Sequence, residues 1–355
     1  MDMKSSEAYG YYFSETGKPL EKRAFAVKDP GIDEAVFAVA GCGLCHTDLV
    51  FISGTIKTKA PPPLILGHEI SGKVVAAGGR YERLVGTNVI IPAVLPCGSC
   101  ELCATGRSNI CRNQKMPGND FHGGFASHIT VPCRFLCPLP AEAGEAGVAH
   151  MSVIADAVAT PYQSLLRSGL RHGDLAIVIG AGGIGIYMVQ LAARAGATVI
   201  AVDIEDAIVQ RAIRFGARFG INAKGLEEKD IKGKIRTIVK EQVLPEHGWK
   251  VFETSGTAGG QKTAFHLLSF AGTIAVVGFT MDTINVRLSN LMAFDADMFG
   301  NWGCKPEHYP AVVDMVLRKE INIVDTVEER PLDSINEVIA LAMQHKLEKR
   351  VIFIP

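Results

Sequence analysis

The chain has 355 residues, 48% hydrophobic and 21% charged, with 36 Lys and Arg against 37 Asp and Glu for a net charge of −1. That length provides for about two domains with substantial cores. The balanced charge offers no field to attract nucleic acid or an anionic membrane, so neither is an expected partner.

The opening stretch MDMKSSEAYGYYFSETGKPL has no apolar segment of signal-peptide length. No later stretch reaches the roughly 18 apolar residues that span a bilayer, and the expected location is the cytoplasm. In a reducing compartment, the nine cysteines point to metal ligands or catalytic groups rather than disulfides. Residues 1–157 are rich in Gly, Pro, Cys and short β-branched runs such as GTNVIIPAV, the texture of an irregular β domain.

Within that region, GCGLCHTDLV and LILGHEISG supply Cys45 and His68, and SVIADAVATPYQSL supplies Asp156. Taken singly, Cys45 reads as a buried thiol, His68 as a satisfied core histidine and Asp156 as the N-cap of a helix starting at Ala157. Taken together they form a three-ligand set that leaves a fourth position open, as a catalytic zinc requires. Cys42 stands three residues before Cys45 without a matching second pair and is assigned to packing.

Between them, PCGSCELCATGRSNIC spaces Cys97, Cys100, Cys103 and Cys111 as C-x2-C-x2-C-x7-C. The bacterial ferredoxin run ends in a three-residue gap and a proline, whereas this one ends in a gap of seven followed by Arg112. Four thiolates on a short loop with no open position predict a structural zinc.

Residues 158–300 change texture, from LAIVIGAGGIGIYMVQLAARAGATVIAVD to AGTIAVVGF, to short apolar strands alternating with helices. This pattern predicts a doubly wound parallel sheet. Gly180, Gly182 and Gly185 fill G-x-G-x-x-G directly after a strand and open a helix, with Gly183 and Ile184 on the same turn. Such glycines bring the backbone to a pyrophosphate at the helix N-terminus. Asp203, eighteen residues after Gly185, ends the next strand, where a carboxylate accepts from ribose hydroxyls and repels a 2′-phosphate. With Glu205 and Asp206 beside it, the expected cofactor is NAD rather than NADP.

The segment 301–355 predicts a helix in YPAVVDMVLRKE, a second in DSINEVIALAMQHK with Ser334 and Glu337 as a capping box, and a final strand KRVIFI. It is too short to fold alone and is expected to pack on one of the larger units.

These patterns, in this order, make the chain similar to zinc-dependent medium-chain alcohol dehydrogenases over essentially its whole length. The resemblance implies a GroES-like β-rich catalytic domain, formed by residues 1–157 and the tail, around a Rossmann domain, with the active site in the cleft between them. It implies two zincs per subunit: one catalytic, on Cys45, His68 and Asp156, and one structural. It makes Thr47 the hydroxyl that takes the substrate proton. It brings His46 and Arg350 to the cofactor pyrophosphate and sets Asp48 and Glu69 behind the zinc ligands. The implied reaction activates a zinc-held hydroxyl and passes hydride to NAD, or runs in reverse on a ketone. A homodimer or homotetramer with paired Rossmann domains is expected.

Two positions depart from many relatives. Asp156 stands where they carry Cys, giving a harder site, and Val50 stands where they carry a relay histidine. The segments KPLEKRAF, VIADAVATPYQSLLRSGL and FGNWGCKPEHYPAVVDMV resemble the 6-hydroxycyclohex-1-ene-1-carbonyl-CoA dehydrogenases of anaerobic aromatic degradation. That resemblance implies a cyclic hydroxyacyl-CoA substrate, with small Ala93 and Val94 near the ring and Lys57 and Lys59 toward the CoA phosphates. The alternative is a dehydrogenase of general secondary or vicinal alcohols and hydroxyketones.

Overall fold

The computed structural model describes residues 7–355; the first six residues of the opening stretch lie outside it. The chain divides into two units, one running to Ala159 and resuming at Gly303–Lys319 and Ile323–Pro355, the other comprising Thr160–Trp302 and Glu320–Asn322.

In the first unit, a seven-stranded sheet is organised on the long strand Glu34–Gly43, which pairs antiparallel with Glu69–Ala77, His128–Pro132 and Arg350–Ile354. The β-branched run read in GTNVIIPAV supplies the strand Asn88–Ile91, and KRVIFI supplies Arg350–Ile354. A smaller sheet joins Ala8–Phe13 to Glu21–Phe25 and Leu64–Ile65. Phe37, Ile70, Ile91, Phe125 and Phe353 are at most 1% exposed and form the core between these layers. One register matters most for chemistry: Gly43 faces Glu69, so the chain leaving one strand toward Cys45 lies beside the chain entering the other from His68.

The second unit is a six-stranded parallel sheet. From edge to edge it runs Phe219–Asn222, Thr198–Asp203, Leu175–Ile179, Lys250–Glu253, Thr273–Val276 and Asp297–Gly300. Numbered within the unit this is the order 3-2-1-4-5-6 of a doubly wound dinucleotide fold, as the alternating texture predicts. The central strand Leu175–Ile179 is buried along its full length, which is why it reads as a continuous apolar run.

The tail departs from its sequence pattern in one detail. Its helices form at Tyr309–Leu317 and Ile335–Met343. The expected capping box does not: Ser334 donates its hydroxyl to the Pro331 carbonyl, 2.7 Å away, because the residues before it form a 3-10 turn. Asp156 likewise caps no helix N-terminus. It ends the 3-10 segment His150–Ala155, three residues before the helix Ala159–Ser168 begins.

Candidate metal centres and dinucleotide site

Cys45 is the residue before the short helix His46–Ile52, and Asp48 in its first turn organises everything around it. The Asp48 carboxylate accepts from the Cys45 amide through Oδ2 at 3.0 Å and from the Gly67 amide through Oδ1 at 3.1 Å. Oδ1 also lies 3.4 Å from Nδ1 of His68. One buried carboxylate thus ties the loop carrying the thiol to the loop carrying the imidazole. Gly67 makes that approach possible: its φ is +92°, and a Cβ there would come within 2.7 Å of Cys42 Sγ and of the Phe125 ring. Cys42 is fully buried packing, its thiol pushed well up by desolvation.

Cys45, His68, Glu69 and Asp156 bring their donor atoms within 4.8 Å of one another. Asp156 Oδ2 lies 3.6 Å from His68 Nε2 and 3.8 Å from Cys45 Sγ. His68 is 1% exposed, yet neither ring nitrogen makes an aligned hydrogen bond. Leaving both nitrogens of a buried imidazole unbonded is unfavourable unless something else takes a lone pair. Burial alone would lower the proton affinity of His68, but Asp48, Cys45 and Asp156 hold it well above the ordinary value. A mixed thiol, imidazole and carboxylate set around a shared point fits a zinc ion with an open position. Asp48 then stands behind the imidazole as an orienting carboxylate.

Glu69 belongs inside this donor group, a closer place than the sequence pattern assigns it. It is fully buried, and Arg350 grips it with both arms of its guanidinium, the Nε to Oε2 contact measuring 2.8 Å. This place follows from the register that sets Glu69 opposite Gly43, which no local sequence pattern shows. Thr47 is half-buried with its hydroxyl 3.8 Å from Cys45 Sγ, while His46 is exposed and Val50 buried. Ala93 and Val94 are buried, and Lys59 pairs with Asp120 at 3.3 Å.

The second cluster is local. Sγ of Cys100 lies 3.6 Å from those of Cys103 and Cys111, and Cys111 lies 3.5 Å from Cys97. The Ser99 and Cys100 amides, with the Ser99 hydroxyl, pull the Cys97 thiol down to about 5, whereas desolvation and its thiol neighbours push Cys103 up to about 12. Four thiols at this spacing cannot all ionise without a cation between them, and four-sulfur tetrahedral zinc satisfies all of them.

In the second unit the glycines do what the pattern requires. Gly180 has φ +79° and packs so close to Ser255 that a Cβ would sit 2.5 Å from its Cα, and a Cβ on Gly185 would collide with the Gly180 carbonyl at 1.9 Å. A Cβ on Gly182 meets nothing within 4 Å, which leaves open the space a pyrophosphate needs at the start of the helix Gly185–Arg194. Gly183 and Ile184 complete the turn. Asp203 closes the strand Thr198–Asp203, accepting from the Ala181 amide at 2.9 Å and the Glu205 amide at 3.1 Å. The sequence patterns assign no role to Glu253, fully buried at the end of the strand Lys250–Glu253 beside Leu175–Ile179. Its Oε1 accepts from the amides of Ser255 and Gly256 and from the Ser255 hydroxyl, fixing the turn that packs on Gly180.

Comparison with known proteins agrees with this layout. Residues 31–141 match the alcohol dehydrogenase GroES-like domain, and residues 183–318 match the zinc-binding dehydrogenase family. An alcohol dehydrogenase of Geobacillus stearothermophilus is 30% identical over 339 residues, 93% of this chain and 96% of its own. A D-arabitol-phosphate dehydrogenase of Enterococcus avium is 26% identical over 348 residues, again 93% and 96%. A zinc-binding dehydrogenase of Sinorhizobium meliloti 1021, solved with NADP bound, superposes with a TM-score of 0.86 at 25% identity, covering 99% of this chain and 100% of that one. Both domain families are matched in sequence order and one relative reaches 30% identity across nearly the whole chain, so the protein belongs to the zinc-type medium-chain alcohol dehydrogenases, oxidoreductases that act on CH–OH groups.

Proposed function

We propose that this protein is an NAD-dependent dehydrogenase of secondary alcohols, with Cys45, His68 and Asp156 holding a catalytic zinc and Cys97, Cys100, Cys103 and Cys111 a structural one. The observation that carries this reading is the donor group within 4.8 Å around a buried imidazole whose nitrogens make no aligned hydrogen bond. When bound, zinc supplies a Lewis acid that makes a substrate hydroxyl acidic near neutral pH, and NAD supplies the hydride acceptor.

The chain's own residues then have defined tasks. Asp48 holds His68 in register and fixes the Cys45 loop. The Thr47 hydroxyl takes the proton of the substrate hydroxyl, and with Val50 buried where relatives carry histidine, that proton passes on to water. Arg350 neutralises Glu69 beside the donor atoms, so the group binds a dication without excess buried negative charge. In the second unit the open space over Gly182 and the helix behind it receive the pyrophosphate. Asp203 presents a carboxylate to the ribose hydroxyls, which supports NAD over NADP.

The substrate class we favour is a small secondary or vicinal alcohol or polyol. The narrower reading, 6-hydroxycyclohex-1-ene-1-carbonyl-CoA oxidised to the 6-oxo compound, rests on the three resembling segments. Lys57 and Lys59 are both exposed for such a handle, with Lys59 already paired to Asp120, which weakens the basic grip it would use. NADH formation from a panel of secondary alcohols, polyols and the cyclic hydroxyacyl-CoA tests both readings. A kcat/KM at least tenfold higher for the thioester would favour the narrow one, and no turnover with any member would refute the function itself.

Self-association is proposed on the second unit. Its sheet ends in the edge strand Asp297–Gly300, near which Leu288, Met292 and Met298 are 66%, 78% and 40% exposed. Uncovered apolar side chains beside an open strand edge support pairing with a second copy. The use of five cysteines as metal ligands supports a reducing, cytoplasmic setting; no helix among the described residues is long and apolar enough to cross a membrane.

A further inference from the structure

We propose that Tyr309 positions the Asp156 donor by clamping the peptide that carries it; the proposal rests on the reading of Cys45, His68 and Asp156 as a zinc site. Asp48 holds Cys45 by its own amide and His68 by the amide of Gly67 before it. Asp156 follows a 3-10 segment with φ −141° and ψ −58°, and is neither in a sheet ladder nor inside a helix. A carboxylate on an irregular stretch needs another anchor to stay within the few tenths of an ångström that a metal site tolerates.

The peptide joining Ala155 to Asp156 has such an anchor. Its carbonyl oxygen accepts the Tyr309 hydroxyl at 2.6 Å and the Ala93 amide at 3.3 Å. Through this one carbonyl three elements close on one point. These are the exit of the strand Asn88–Ile91, the end of the 3-10 segment and the first residue of the tail helix Tyr309–Leu317. Tyr309 is fully buried and Ala155 is 1% exposed, so water cannot replace a lost partner. A buried carbonyl held by two donors is rigid, and rigidity of this peptide is what Asp156 requires. The Tyr309 hydroxyl bonds the backbone carbonyl before Asp156, so Tyr309 acts as a positioning residue. Its hydrogen bond turns the returning tail into part of the metal centre.

The test follows zinc release from the purified protein with a chromophoric chelator, the four-thiol cluster serving as internal control. The wild type is expected to release zinc in two phases, fast from the mixed centre and slow from the thiol cluster. Tyr309→Phe, which keeps the ring and removes only the hydroxyl, is expected to speed the fast phase by about 10–100-fold and leave the slow phase alone, the scale for loss of a partner behind a ligand. In an Asp156→Ala background the same change is expected to add nothing. An unchanged fast phase in Tyr309→Phe, or an equal acceleration in both backgrounds, overturns the proposal. A wild type that releases zinc in the slow phase only overturns the reading of the mixed centre, and is distinguished by its intact thiol-cluster zinc. If Tyr309→Phe does not fold, Tyr309→Met also removes the hydroxyl, on a flexible side chain that adapts to the buried space, and carries the same expectations.

Discussion

The four-thiol cluster and the mixed donor cluster hold similar numbers of ligands but are assembled differently. The paired thiols of the first are at most 14 positions apart, whereas Cys45 and Asp156 in the second are separated by 111. The first lies on a loop with two short helical turns, so its own chain cannot order it and the metal must. In the second, Cys45, His68 and Glu69 sit at the ends of two paired strands and are held by the sheet, and Asp156 follows a peptide held by Tyr309. A local cluster stabilises its fold, whereas a cluster assembled from distant segments is stabilised by the fold and is free to do chemistry.

The strongest break of this comparison is a matched pair of substitutions. Cys45→Ser is expected to leave a folded protein whose turnover falls by about 10³-fold or more, the loss of several kcal/mol of transition-state stabilisation. Cys100→Ser is expected to lower the thermal midpoint sharply and to reduce activity only in proportion to the folded fraction. Thermal melts, zinc content and kcat on the same preparations decide it. Equal loss of fold in both variants would remove the distinction.

The buried brace of the mixed centre gives the next largest effect. Arg350 and Glu69 have side chains 7% and 0% exposed. Breaking such a pair leaves an uncompensated buried charge and costs about 3–5 kcal/mol. Arg350→Met should therefore lower urea stability by that amount, and Glu69→Gln together with Arg350→Met should recover a large part of it. Additive losses would mean that the two residues do not act as a pair.

The same contrast governs what the sequence disclosed. The four cysteines, the glycine fingerprint and Asp203 are local patterns: the thiols cluster, Gly180 takes the positive φ of a tight turn, and Asp203 ends its strand. Cys45, His68 and Asp156 could be named only as a set, because the register that joins them is a tertiary property. Glu69 as a member of the donor group and Tyr309 against Ala155 were illegible for the same reason. Their partners lie 281 and 154 positions away. The capping box at Ser334 failed in the opposite way: the local pattern was present, but the 3-10 turn before it offered the hydroxyl a nearer carbonyl.

Asp203 extends the comparison to the second unit, as a local signal for which a cofactor-selecting role is proposed. Its carboxylate already accepts two amides, so removing it loosens the turn as well as the ribose contact. Asp203→Ala is expected to narrow the NAD to NADP preference by about tenfold, roughly 1.4 kcal/mol. A wild type that prefers NADP would show that this acid does not select the cofactor.

The smallest effect is expected at the brace of the four-thiol lobe, which is an arginine as well. Arg134 donates to the carbonyls of Cys97 and Gly98, and its guanidinium lies against the position a Cβ on Gly98 would fill. Unlike Arg350 it is exposed, so water can replace its hydrogen bonds and no charge is stranded when it is removed. Arg134→Ala should therefore cost only about 0.5–1.5 kcal/mol, and zinc in the lobe should be retained. Urea unfolding monitored alongside zinc release measures both. A loss as large as that of Arg350→Met would mean that the lobe depends on its arginine as much as on its metal, and the distinction between a metal-ordered cluster and a fold-ordered one would no longer hold.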